Sequence, residues 1–444
     1  MRLRMVKIAL YAGMTLSACL IALFIFQAAF LDRFLQRRIT TAFADAYPAY
    51  SIQMAGLHYS VTDNRLECDS IALMKLDSTF SCSVAGISVS GIGRIQLLWG
   101  GGVAPDNLVS SEMNANNVLL NFHELGYELH CGRLHVSGPD SVIVADGIEL
   151  HPQVNDEEFF AGSKFRKTRY RLVLPHLRVA GSACLGLLEG HVSCARTAQL
   201  DSADLDILIN KEKPYFIDSL QPPMPNDLLA SIIQIVQLDE LEFTDGRLNY
   251  CERFAVAGKP ARLTFDNIQI LAEASSNRME HQDTVVIRAE GTFMNAGMVK
   301  TVMMIPFPSA AFTLGYSGSL SGMGLPALNP FLEIAEQQRF KSGVLESLAF
   351  DVRVTAGDAK GTVTALYKDL EIAAINGRTG SESGVVNSIV SFISNNFSLH
   401  TNNLRNNPGS MKIGEVKYPR KRGEEFFEFA WFALRSGIGD VVGF

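Results

Sequence analysis

The chain has 444 residues, 47% of them apolar, and carries 39 Lys and Arg against 46 Asp and Glu, a net charge of −7. That length and apolar content allow a sizeable core, in two or three domains or one elongated body, and the mild acidity argues against nucleic acid as the main partner. Charged residues are only 19%, below the usual quarter, so the body is expected to show more apolar surface than a plain soluble protein.

Residues Ile8–Phe30 form an uncharged, almost wholly apolar run of 23 residues. As a helix this run reaches about 34 Å, enough to cross a hydrocarbon core of about 30 Å. A cleaved signal peptide has a shorter apolar stretch, and Gln27-Ala28-Ala29-Phe30 is a poor cleavage site. Leu16-Ser17-Ala18-Cys19 has the form of a lipobox, but the apolar run continues from Leu20 to Phe30. The reading is an uncleaved single-pass anchor with the remaining residues on one side of a membrane. Arg2, Arg4 and Lys7 before the span, against Arg33, Arg37, Arg38 and Asp32 after it, favour a cytoplasmic amino terminus by a narrow margin.

After the span, Leu31 to Ala46 still reads as helix and Pro48 ends it. The period then changes from 3.6 to 2. Tyr170–Leu174, Asp204–Ile209 and Glu240–Thr244 alternate, and Asp245-Gly246 supplies a turn before Arg247–Tyr250. In Ser347–Thr355 one face carries Leu348, Phe350, Val352 and Val354, the other Asp351, Arg353 and Thr355. Turns are also expected at Ser137–Asp140, Ala145-Asp146-Gly147, Ala180-Gly181 and Ala356-Gly357-Asp358. Many short strands joined by tight turns mean a large, mainly antiparallel β-structure. Helices are few: Asn226–Val236 after the proline cluster at 222–225, a short one within Leu325–Gln338, an amphipathic one over Gly384–Phe397, and Glu424–Leu434.

The chemistry-bearing residues do not assemble into a catalytic signature. His123, His130 and His135 with Cys131 give no ligand triad, because His123 and His135 fall on opposite sides of a strand. Gly91-Ile92-Gly93 and Gly100-Gly101-Gly102 lack the remainder of a phosphate loop, and no GxSxG or HExxH occurs. Neither an enzyme nor a metal or other cofactor is expected. Six cysteines lie outside the apolar run: Cys68, Cys82, Cys131, Cys184, Cys194 and Cys251. Cys184 and Cys194 are close enough to bridge a hairpin in an oxidising compartment; buried free thiols are the equal alternative. Lys164, Arg166, Lys167 and Arg169 read as an exposed basic loop.

The C-terminal third carries a resemblance. Leu325-Pro326-Ala327-Leu328-Asn329-Pro330-Phe331 leads into Phe340–Leu345, then Ala359–Val363 and Tyr367–Ile372. Asn406-Asn407-Pro408, the basic Tyr418–Arg422, and Phe426–Trp431 with Ser436-Gly437-Ile438 follow. With a single N-terminal span and β-structure after it, the chain resembles the AsmA-like family of bacterial envelope proteins, which are similar to bridge-like lipid-transfer proteins. The resemblance covers 1–100 loosely and 240–444 better. It implies an inner-membrane anchor, a body in the periplasm, and a sheet curled into a groove with an apolar interior. It further implies a role in phospholipid movement or outer-membrane homeostasis.

The expected architecture is therefore an anchor with helical extension (1–46), a β-rich groove region (47–221), a β-rich middle with a short helix (222–320), and a C-terminal region closing on amphipathic helices (321–444). Leu241, Phe243, Leu348, Phe350, Val352 and Val354 are the candidates for lipid-facing groove residues, although a closed β-sandwich would bury the same alternating face. Lys417, Arg420, Lys421 and Arg422, followed by Phe426, Phe427 and Trp431, are the candidates for docking on an anionic membrane surface; a charged turn with a helix capping the sheet is the other reading. Phospholipids, the inner membrane and other envelope proteins are the expected partners. The competing functional class is an envelope scaffold that assists outer-membrane protein insertion without lipid cargo.

Overall fold

The computed structural model describes residues 30–92, 110–181, 193–214, 222–228, 236–255, 258–274, 283–307, 309, 311–375, 400–405 and 411–443. The span at 8–30 apart from its last residue, the stripe at 384–397, Gly100–Gly102, Cys184 and Asn406–Pro408 lie outside them, as do residues 229–235 of the expected 226–236 helix, whose last residue, Val236, is strand instead. Among the described residues no helix is long and apolar enough to cross a membrane. The protein is mainly β, with 18 strands and a few short helices among those residues. It divides into two compact units between Ile148 and Glu149; Pro222–Pro225 lies inside the second.

In the first unit, helix α1 (Asp32–Ala46) precedes β1 (Tyr50–Ala55), β2 (His58–Ser60), β3 (Arg65–Lys75), β4 (Phe80–Ser90), β5 (Glu112–Phe122) and β6 (Tyr127–Ser137), with β7 (Val142–Pro152) beginning here. β1 and β2 share β3, pairing with its second and first halves, and β3 to β6 continue as an antiparallel meander. An exposed strand edge offers unpaired N–H and C=O groups. Here α1 covers it: Asp32 accepts the Tyr59 N–H at 2.9 Å, and Gln36 Nε2 donates to the Met54 carbonyl at 2.8 Å. Leu35 fixes the helix by burying itself against Leu57, Tyr59, Cys68 and Ile92.

The second unit holds α2 (Asp156–Ala161), β8 (Thr168–Ala180), β9 (Ser193–Asp201), β10 (Asp204–Asn210), β11 (Val236–Arg253), β12 (Ala261–Ala274), β13 (Asp283–Phe293), β14 (Gly297–Phe307) and β15 (Leu314–Gly324). A 3-10 turn (Leu325–Leu328) and α3 (Asn329–Ala335) lead to β16 (Gln338–Thr355), β17 (Asp358–Ala374), β18 (Gly414–Pro419) and α4 (Phe426–Val442). β9 and β10 lie end to end, antiparallel to β8 on one side and parallel to β11 on the other. The sheet is therefore mixed, because the parallel step needs the long connection from 211 to 235 rather than a hairpin. From β11 to β18 every neighbour is antiparallel.

Several local expectations are corrected. Asp245-Gly246 is not a turn: Asp245 takes a φ of 53° inside the 18-residue β11, and the register shifts there. It is a β-bulge, matched by the break at Ser202 in the adjoining strand pair, whose hydroxyl lies 3.2 Å from Asp245. Ala145-Asp146-Gly147 likewise lies within β7, with Gly147 at φ 63°. Ala356-Gly357, at φ 51° and 88°, does form the expected tight hairpin between β16 and β17. The final helix runs to Val442 instead of Leu434 and includes Gly437 and Gly439.

Candidate functional site

Register gives the strands of the second unit two faces. One cross-strand row reads Leu241, Ala272, Ile287, Met303, Tyr316, Val352, Gly361, Val416 from β11 to β18. The next row on the same side reads Phe243, Ile270, Ala289, Thr301, Gly318, Phe350, Val363, Gly414. Between them, facing the other way, run Glu242, Leu271, Arg288, Val302, Ser317, Asp351, Thr362 and Glu415. Eight strands at about 4.8 Å make an apolar face about 34 Å across. Along β16 a bulge between Leu345 and Ser347 moves the inward set from odd to even numbers. Leu241, Phe243, Leu348, Phe350, Val352 and Val354 all belong to this face.

The face is not uniformly open. α4 lies over its β15–β18 end, and Phe429, Ala433, Val352 and Val363 are each 0% exposed there, with Val354, Ile305, Leu314 and Val416 in the same cluster. Val352 and Val354 therefore line a closed core, not an open groove; the helix that sequence placed at the chain's end folds back onto them. Leu348 and Phe350 flank this core half-buried. From β11 to β14 the same face is covered unevenly: Leu241, Phe243, Ile270, Ala272, Ile287 and Met303 are half-buried, while Val285 and Ile305, two positions further along β13 and β14, are buried.

The reason α4 sits so close is Gly437. A Cβ there would lie 2.8 Å from Cγ2 of both Val363 and Val416, and a Cβ on Gly414 would strike the Gly437 carbonyl at 1.9 Å. Two glycines facing each other let helix and strand backbones touch. One flank of α4 is polar and covers the edge of β18, where Ser436 accepts the Lys417 N–H and Asp440 accepts the Glu415 N–H at 2.9 Å. That hydrogen bond, with Lys412 at 3.1 Å, holds the Asp440 carboxyl below its ordinary pKa. The opposite flank, Phe427, Ala430, Trp431, Leu434 and Ile438, is wholly apolar; Phe427 is 55% exposed and the others are half-buried.

The start of α4 is clamped by buried charge. Lys211 Nζ lies 2.7 Å from Glu252 and 3.1 Å from Glu428, with Arg166 at 3.6 Å from Glu428. Thr168 donates to Glu425 at 2.8 Å, and burial pushes the Glu425 carboxyl above its ordinary pKa. Burial, then the neighbouring Glu252, likewise raises the Tyr250 phenol. Thus the ends of β8, β10 and β11 meet the far edge of their own sheet through this helix. Of the basic stretch, Lys164 is exposed in a loop as expected, but Arg166 belongs to the clamp, Lys167 Nζ stands 3.6 Å above the Phe159 ring, and Arg169 is buried between Asp156 and Asp206. Sequence gave no sign of this, because its partners are up to 262 positions away.

The membrane-surface candidates separate in the same way. Arg420 donates to the Pro222 carbonyl at 2.9 Å and stacks near Phe312, so it ties the proline segment down and is not free to meet a bilayer. Lys417 is exposed but pairs with Glu415 at 2.7 Å. Lys421 and Arg422 are exposed; Phe426 packs onto the core, while Phe427 and Trp431 lie on the apolar flank.

The first unit repeats the one-sided pattern on its own sheet. Ile52, Leu73, Cys82, Leu120 and Leu129 form one row, and Met54, Ile71, Val84, Val118 and Cys131 the next. Of these ten only Cys131 is buried. Cys68, Cys131 and Cys251 are buried free thiols and Cys82 is a half-buried one; burial raises all four. His135 Nδ1 lies 2.8 Å from Asn114 and His123 Nε2 3.1 Å from Ser81.

Fold and face together define a mainly β protein whose 18 described strands belong to one mixed sheet; within each unit the strands carry one more apolar and one more polar side, and in the second unit the apolar side is part-covered by α4. No protein-family model and no curated protein matches the chain.

Proposed function

We propose that this is a membrane-anchored, non-enzymatic protein of the bacterial envelope that holds or conducts phospholipids along the apolar face of its sheets. The reading takes Ile8–Phe30 as an inner-membrane anchor and the body as periplasmic, in keeping with the resemblance to AsmA-like proteins, and connects the activity to outer-membrane homeostasis. The observation that carries it is the half-covered band Leu241, Phe243, Ile270, Ala272, Ile287 and Met303, which a closed sandwich would bury. A phospholipid presents about thirty methylenes, each worth about 0.8 kcal/mol, so bare desorption costs on the order of 20 kcal/mol. An apolar trough offsets that cost while the headgroup stays wet.

The test is lipid mass spectrometry on the full chain purified in mild detergent, beside a Phe243→Asp, Ile287→Asp variant. Lipid held around the anchor is common to both, so the difference reports the face. The variant is expected to lose phospholipid at unchanged fold. Equal phospholipid in both proteins would overturn the reading and leave the cargo-free envelope scaffold as the better account.

A further inference from the structure

Helix α1 carries a cationic and aromatic outer side that its packing on the sheet does not use. Leu35 is its buried side chain, and Asp32 and Gln36 are turned onto the Tyr59 N–H and the Met54 carbonyl. The other side carries Phe30, Phe34, Arg37 and Thr41 at helical spacing, with Arg33 and Arg38 beside them. Phe30 is 64% and Phe34 50% exposed, Arg33 and Arg37 are exposed, and the Arg38 guanidinium lies 6.0 Å from the centre of the Phe34 ring. No carboxylate of α1 joins this side: Asp32 faces the sheet, and the only other acid of the helix, Asp45, lies in its last turn. Two general preferences run against the arrangement. A cation in the first turn, as Arg33 is, meets the positive end of the helix dipole. With a cytoplasmic amino terminus, Arg33, Arg37 and Arg38 also stand on the translocated side, where Lys and Arg are disfavoured next to a span.

We propose that the first two turns of α1 dock on anionic phospholipid headgroups of the leaflet from which the chain emerges; the proposal rests on the reading of Ile8–Phe30 as a membrane anchor. Chain length brings these residues to lipid. Leu31 is helical, with φ −67° and ψ −46°, and leads into α1 without a break. At 1.5 Å per residue Arg33 then lies about 4.5 Å and Arg37 about 10 Å beyond Phe30. The headgroup layer extends roughly 5–8 Å beyond the hydrocarbon on each side, and long arginine side chains reach back towards it from slightly further out. Phe34 sits at the depth where aromatic rings are enriched, and the guanidinium forks match phosphate oxygens. Anionic lipid supplies the counter-charge that α1 itself lacks on this side. Because Asp32, Leu35 and Gln36 pin the helix to the sheet, the docked turns also hold Tyr59 and the β2 end of the first unit against the leaflet.

Site-specific photocrosslinking of the full chain in vesicles of equal parts phosphatidylcholine and phosphatidylglycerol tests this. A benzophenone amino acid is placed at Leu20, inside the apolar run, or at Phe34, and the lipid adducts are identified by mass. The expected result is phospholipid at both positions, with the ratio of phosphatidylglycerol to phosphatidylcholine at Phe34 at least about twofold above that at Leu20. In an Arg33→Gln, Arg37→Gln background the Phe34 ratio is expected to return to the Leu20 value while the thermal melt stays unchanged, since both side chains are exposed. Phospholipid at Leu20 and none at Phe34 would overturn the docking and leave the anchor standing. Equal ratios at the two positions in the parent, or an enrichment that survives in the arginine variant, would overturn it as well. An absence of phospholipid at both positions would overturn the anchor and the docking together.

Discussion

Val352 and Phe243 share one face of one sheet, and the same substitution is predicted to have opposite consequences at the two. Val352 has no solvent exposure beneath Phe429 and Ala433. Val352→Asp forfeits about 1.5–3 kcal/mol of side-chain burial. The new carboxyl cannot stay charged there; holding it neutral at pH 7, about three units above its ordinary pKa, costs about 4 kcal/mol more. The sum, about 6 kcal/mol, is comparable with the whole stability of an ordinary domain, about 5–15 kcal/mol. The variant is expected to lose the cooperative thermal transition of the second unit at neutral pH. Because its folded-state pKa is raised, the charge penalty grows above the unfolded value near 4 and shrinks as pH falls towards it, so the variant regains part of its stability in mild acid. At the half-buried Phe243 the aspartate keeps contact with water, and Phe243→Asp is expected to melt near the parent while losing bound lipid. Circular dichroism melts at two pH values, paired with lipid mass spectrometry, give the answer. A Val352→Asp protein as stable as the parent would refute the helix cover, and a Phe243→Asp protein as unstable as Val352→Asp would refute the open band.

Three further outcomes follow from the contacts of α4. Lys211→Met removes the cation shared by the buried Glu252 and Glu428, leaving Arg166 at 3.6 Å from Glu428, and is expected to cost about 3–5 kcal/mol in denaturant titration; a loss below about 1 kcal/mol would mean that the clamp is hydrated. Gly437→Ala gains about 1 kcal/mol of helix propensity, but its methyl meets two stiff valines at 2.8 Å, and overpacking costs about 1–3 kcal/mol, so a net loss and increased exchange of the α4 amides are expected. The Asp440 carboxyl, with its pKa lowered by the Glu415 N–H and Lys412, contributes stability above its unfolded pKa that disappears as pH falls through the lower folded value. Melting temperatures of the parent and Asp440→Asn should therefore differ most at neutral pH and converge in acid; a constant difference would show that the charge plays no part.

What the sequence determined is what depends on neighbours in the chain. Period-two alternation in Ser347–Thr355 and Glu240–Thr244 gave the strands, and Ala356-Gly357 gave a hairpin because two consecutive positive φ angles are a local demand. Leu31–Ala46 was legible as helix from its own apolar stripe, and the six groove candidates were rightly assigned to one side of their strands, since side-chain alternation needs no knowledge of the partner. Tertiary structure decided the remainder. A strand's apolar side is the same string whether a helix, a second sheet or water covers it, so the burial of Val352 and the openness of Phe243 could not be told apart. Asp245-Gly246 reads as a turn, and only its paired strands on both sides make it a bulge. Gly437 looks like a helix end until Val363, Val416 and Gly414 require a surface without a side chain there. Arg166, Arg169 and Arg420 look like solvated charge until the fold brings Glu428, Asp206 of the neighbouring strand and the Pro222 carbonyl to them. Pairing energies between residues far apart in the chain leave no trace in local composition, and those energies set where this apolar face closes and where it stays open.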